Sequence, residues 1–176
     1  MAAYTYDYLV TALFSNRENA DRAYEALREH GYSTDDISVV MAEETRERYY
    51  GDEQVEIVEG NKAAEGAGIG GAVGGTIGGV LAGIAAAAAP VVFPGIGIVL
   101  SGPLAAALAG AGAGGLGGSI LGGLIGAGIP EERVERYKEG IQEDEGILLA
   151  VDANSSADAE FVEGVFKQYG GKDVHR

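Results

Sequence analysis

The spacing of apolar positions divides the chain into two short-period ends around a long middle run. Residues 8–14 are rich in β-branched and aromatic residues and predict a strand. Ser15 then begins S-N-R-E, which fits a capping box with Glu18 at the third position. A helix follows, with Ala20, Ala23, Tyr24, Leu27 and His30 on one face and Gly31 where a C-terminal cap belongs. After Asp35 and Asp36, the run ISVVM at 37–41 predicts a second strand. Residues 43–60 are less patterned, and only VEI at 55–57 alternates as a short strand would.

The far end repeats this plan. ILLAV at 147–151 predicts a strand, and the N-S-S turn leads into a helix with Ala159, Val162, Phe166 and Tyr169 on one face. Gly170 ends that helix, and residues 173–175 predict a further short strand. Shifting by 139 residues lays Ala20, Ala23, Leu27, His30 and Gly31 onto Ala159, Val162, Phe166, Tyr169 and Gly170. Two β-α-β halves predict an α+β fold, a ferredoxin-like βαβ-βαβ sandwich with four antiparallel strands and two helices on one face. Ahead of the second half, Pro130 opens a helix whose first turn carries Glu131 and Glu132 at the positive end of the dipole. Val134, Tyr137 and Ile141 mark its apolar face.

Between the halves, residues 66–130 form a run of 65 positions without one Asp, Glu, Lys or Arg. The expected division is therefore 1–62 for the first half, 63–129 for an apolar helical hairpin and 130–176 for the second half. Residues four apart lie nearly above one another on a helix. In the first apolar segment one such row is Gly66, Gly70, Gly74 and Gly78, and its neighbour holds Gly71, Gly75, Gly79 and Gly83. The bulky residues Ile69, Val73, Ile77 and Leu81 gather in a separate row. The second segment sorts the same way: Gly110, Gly114, Gly118, Gly122 and Gly126 on one row, and Leu104, Leu108, Leu116, Ile120 and Leu124 on another. PVVFPGIGIV, with two prolines and two glycines, is expected to be the break and turn between the two helices.

Glycine rows let helix backbones approach closely. Each glycine costs about 0.8–1 kcal/mol against alanine in a helix, so nine in residues 66–90 need tight packing or a non-aqueous setting to offset them. A flexible linker would use serine and polar residues instead. A hairpin buried only on its own domain is a further alternative, but one sheet face covers only part of two long apolar helices. With the glycine faces together, the bulky rows point outward and call for other protomers or lipid. Segments of about 24 and 27 residues are long enough to span a bilayer. Basic residues on both flanks (Arg46, Arg48 and Lys62; Arg133, Arg136 and Lys138) would keep both ends cytoplasmic. Against insertion, Glu65, Glu131 and Glu132 adjoin the segments, tryptophan is absent, and 37 of the 65 residues are glycine or alanine.

Composition narrows the chemistry. Acids outnumber bases 27 to 12, for a net charge of −15, which argues against nucleic-acid binding and for a self-repelling surface. Without cysteine there is no disulfide, thiolate nucleophile or cysteine metal site. Two histidines, His30 and His175, exclude a histidine-rich metal centre and poorly support a Ser-His-Asp triad. The opening MAAYTYDYLV has neither a basic n-region nor an apolar h-region, so the expected location is cytoplasmic, with the inner face of the membrane as the alternative.

Two stretches match G-x-G-x-x-G, beginning at Gly66 and Gly110. Neither follows a strand in a β-α-β unit, and 22 glycines in 65 residues generate such matches by composition. Asp35, Asp36, Asp152 and the run Glu143, Asp144, Glu145 could do acid–base work, but charges at strand ends and in loops are usually solvated. No catalytic, cofactor or metal site is expected.

The stretches TALFSNRENADRAYEALREHGYSTDDISVVMAEETR, NKAAEGAGIGGAVGG, FPGIGIVLSGPLAAALAGAGAGG and GIPEERVERYKEGIQEDEGILLAVDA, in that order, resemble the bacterial general stress protein family. That family includes the heat-induced stress protein YflT-like domain and low-temperature-induced proteins. The resemblance covers nearly the whole chain and implies a link to stress conditions, with no reaction, cofactor or catalytic residue to carry over. The family often has another proline after P-G-I-G, where this chain has Ile98 and Val99. The expectation is a non-enzymatic stress-associated protein that homo-oligomerises through its glycine rows. The alternatives are a membrane-inserted hairpin and an apolar small-ligand or lipid-binding module.

Overall fold

The computed structural model describes residues 8–50, 91–93, 98–104, 124–125 and 129–176. They form a mixed α+β domain. In chain order its elements are β1 (Leu9–Phe14), α1 (Arg17–His30), β2 (Ile37–Ala42), α2 (Glu43–Tyr50), β3 (Val91–Phe93), β4 (Ile98–Ser101), α3 (Glu131–Gln142), β5 (Ile147–Asp152), α4 (Ser156–Gln168) and β6 (Lys172–His175). The six strands make one sheet in the order β3-β4-β2-β5-β1-β6, with every neighbouring pair antiparallel.

The central strands β1, β2 and β5 are apolar at nearly every position because both faces of the sheet are covered. Alternation along each strand then separates two cores rather than core from solvent. Val10, Ala12, Phe14, Ile37, Val39, Met41, Ile147, Leu149 and Val151 point to one face. There they meet Ala20, Ala23, Tyr24 and Leu27 of α1 and Ala159, Val162, Val165 and Phe166 of α4. Phe14 and Phe166 meet edge to face with ring centroids 5.7 Å apart. Leu13, Val40, Ala42, Leu148 and Ala150 point to the other face, under Val134, Tyr137 and Ile141 of α3 together with Leu104, Leu124 and Ile129. Gly140 lets α3 come close: a Cβ there would stand 2.2 Å from Leu13 Cδ2.

Element ends depart slightly from the expected signals. The N-cap of α1 is Asn16 rather than Ser15, with Asn16 Oδ1 accepting from the Asn19 amide at 2.9 Å. Glu18 therefore does not close a capping box; it pairs with Arg22 one turn on. Gly31 is the left-handed cap expected, at φ 111°. His30 lies outside the core, stacked on Phe161 of α4 with centroids 3.6 Å apart. Pro130 is the cap residue just before α3, its carbonyl accepting from the amides of Arg133 and Val134.

The largest difference is at 91–101. Two short strands stand where a break and turn was expected, so the sheet gains β3 and β4 at the edge of β2. The prolines and glycines fall at or outside the ends of these strands, where a proline removes no ladder hydrogen bond. The possible strand at 55–57 lies outside the described residues.

Candidate functional site

The feature that sets this chain apart is its apolar run, and the described residues show how the domain holds part of the run's second half and its C-terminal end. Ser38 projects from β2 to the second face and is 2% exposed. Its Oγ accepts from the amide of Leu104 at 3.0 Å. Pro103 and Leu104 are already helical. Proline suits a first helical turn, where its missing N–H is not needed, and Ser38 satisfies one of the amides such a turn leaves open. Gly102, at φ 82°, makes the junction possible. A Cβ there would stand 2.4 Å from the Ile37 carbonyl oxygen and 2.8 Å from Ser38 Cα, so only glycine lets β4 pass into this helix against β2.

Leu104 is 1% exposed and Leu124 2%, both within the second core cluster. Leu124 was expected in an outward row that needed lipid or another protomer. Leu124 is buried in the domain's own second core, and that burial needs neither. Its neighbour Ile125 is 42% exposed. The other expected interface residues all lie outside the described residues: Gly66, Gly70, Gly74, Gly78, Gly71, Gly75, Gly79, Gly83, Gly110, Gly114, Gly118, Gly122 and Gly126, and the bulky Ile69, Val73, Ile77, Leu81, Leu108, Leu116 and Ile120. Both G-x-G-x-x-G matches lie there too.

Where the run ends, α3 is clasped to β6. The Tyr137 hydroxyl donates to the Asp173 carbonyl at 2.7 Å and lies 2.8 Å from Thr11 Oγ1. Arg133 Nη1 donates to the same carbonyl at 2.9 Å, and Arg136 Nε pairs with Asp173 Oδ1 at 3.0 Å. Asp173 takes φ 49°, the left-handed region that non-glycine residues rarely occupy. Burial raises the Tyr137 phenol, and hydrogen bonding by Thr11 and the Arg133 charge pull it back. Burial also lowers His175, with the Arg133 charge adding to the effect.

Two of the carboxylates weighed as acid–base candidates make structural contacts. Asp36 Oδ2 accepts from the Ser33 amide at 2.7 Å and the Ser33 hydroxyl at 2.6 Å, closing the turn before β2. Glu145 pairs with Arg48. Asp152 is the exposed last residue of β5. Among the described residues no group of three or more His, Cys, Asp or Glu side chains could hold a metal ion. No helix among them is long and apolar enough to cross a membrane. The roles of Ser38, Gly102 and the Tyr137–Asp173 clasp went unforeseen. S-G-P-L at 101–104 carries a helix-start signal in its proline, but nothing local ties it to Ser38. No family model, curated protein or solved structure matches the chain.

Proposed function

We propose that this is a non-enzymatic structural protein of the stress response. On this reading a ferredoxin-like sandwich carries a glycine-zipper helical insertion, and the insertion joins copies of the chain into a homo-oligomer. The association with stress rests on the sequence resemblance alone. The sandwich reading draws support from the order β2-β5-β1-β6, with α1 and α4 on the same face. Strands β3 and β4 then extend that sheet at one edge.

One observation carries the zipper. Within 65 uncharged residues, glycines recur every four positions on rows of their own, while bulky residues keep to other rows. The anchoring of the run agrees with this. Leu104 and Leu124 close the two ends of one bulky row, and both are buried on the domain's second face. That leaves the glycine face of the same segment for another helix, from this chain or from a second copy, at the close approach such rows permit.

A bilayer-spanning hairpin fits less well. Its turn would sit about 30 Å across the hydrocarbon core from its ends. Residues 98–101, beside that turn, pair with β2. Insertion would require β3 and β4 to leave the sheet.

The test is sedimentation of the full chain with Gly74→Leu and Gly118→Leu, beside flotation of a detergent-free lysate. The expected result is a large particle in the dense fractions that falls apart in both variants. Particles of unchanged size in both would sink the zipper, and flotation with lipid would favour the membrane reading.

A further inference from the structure

Among its described side chains, helix α2 is fastened largely by polar contacts. Its sequence EETRERYY contains no aliphatic hydrophobic residue. Thr45 is 1% exposed, yet the Thr45 hydroxyl has no hydrogen-bond partner. Tyr49 adds a ring only partly buried against the first core. The remaining anchors come from distant parts of the chain. Arg48 pairs with Glu145 Oε1, and the Tyr49 hydroxyl reaches Glu145 Oε2 at 3.4 Å. Arg17, in the first turn of α1, donates through Nη1 to the Tyr49 carbonyl at 2.5 Å. Glu145 takes φ 55° in the turn between α3 and β5.

These contacts oppose one another. A buried hydroxyl without a partner favours undocking, since water would satisfy it. The ion pair favours docking, but Arg48 and Glu145 are 62% and 38% exposed, so water and salt compete with it. An element held by exposed polar anchors belongs to the low end of local stability.

We propose that α2 is a detachable strap, which leaves the sheet as a unit while the rest of the domain stays folded. Residues 51–65 separate it from the first glycine segment. Docked, it ties the chain to β2 upstream of that segment; released, it lengthens the reach of the segment. This last consequence rests on the zipper reading, whereas the detachment itself does not.

Amide hydrogen exchange on the full chain, read by mass spectrometry, tests the strap. Residues 43–50 should exchange faster than β2 in the wild type, and faster still in about 1 M salt. Thr45→Val keeps the side-chain shape and removes the orphaned hydroxyl, so exchange of 43–50 should slow about tenfold while β2 is unchanged. Glu145→Gln should speed it about threefold and abolish most of the salt effect. Exchange of 43–50 in step with β2 in every variant would overturn the proposal, as would no slowing in Thr45→Val. Exchange judges the strap and sedimentation of the glycine variants judges the zipper, so either can fail alone.

Discussion

Replacing Tyr137 by Phe should remove one oxygen and orphan another. Thr11 Oγ1 and the Tyr137 oxygen are 2.8 Å apart, and the Tyr137 hydroxyl donates to the Asp173 carbonyl at 2.7 Å. A phenol has one hydrogen, so Thr11 is the donor in the first bond. Both side chains are 0% exposed. In Tyr137→Phe the Thr11 hydroxyl loses its acceptor inside the core, while the Asp173 carbonyl keeps Arg133 Nη1 at 2.9 Å. One orphaned hydroxyl with one lost bond costs about 2 kcal/mol. At a urea slope of about 2 kcal/mol per molar, the unfolding midpoint should fall by about 1 M. Thr11→Val should cost less, about 1 kcal/mol, because Tyr137 still donates to Asp173. The double variant leaves neither hydroxyl stranded, so its cost should be smaller than the sum of the single costs. Urea unfolding followed by circular dichroism measures all three, at one fixed protein concentration because self-association shifts apparent stability. A wild-type midpoint in Tyr137→Phe would refute the reasoning, and so would strict additivity in the double variant.

Two further outcomes test other parts of the fold. Gly102→Ala puts a Cβ 2.4 Å from the Ile37 carbonyl at a left-handed φ, so it should cost several kcal/mol, lowering the urea midpoint and exposing β4 to exchange. Gly164→Ala, where a Cβ meets nothing within 4 Å, is the matched control and should leave the midpoint unchanged or raise it. Burial pushes Tyr24 up to about 12 from 10.0, with Arg28 opposing and Asp35 adding. The unfolded chain therefore releases this proton first, and its contribution, present below pH 10, is lost as pH rises toward 12. The loss is about 2–3 kcal/mol. Tyr24→Phe should flatten that part of the stability profile in alkaline unfolding, and an unchanged profile would contradict it.

Local patterns carried much of the fold. The amphipathic faces of α1, α3 and α4 and the apolar runs of β1, β2 and β5 are each set within a few consecutive residues, because side-chain direction follows from helical or strand period alone. Caps were legible to within one position, since Asn16 and Ser15 both suit the role. The hairpin β3–β4 was not legible. Strands of three and four residues are too short to show a period, and what makes them strands is pairing with the open edge of β2.

The sequence by itself determined α1, α3, α4, β1, β2 and β5 and the separate spacing of glycine and bulky residues, because each depends on spacing along one segment. Only the tertiary structure decided that the central strands β1, β2 and β5 are buried on both faces and that Leu104 and Leu124 help bury the second. It also decided that Ser38 receives the Leu104 amide and that Thr11 meets Tyr137. Those partners are 66 and 126 residues apart, and no local pattern encodes such a meeting. It follows from closing the sheet, which brings distant apolar faces and buried polar groups together where each must find a partner.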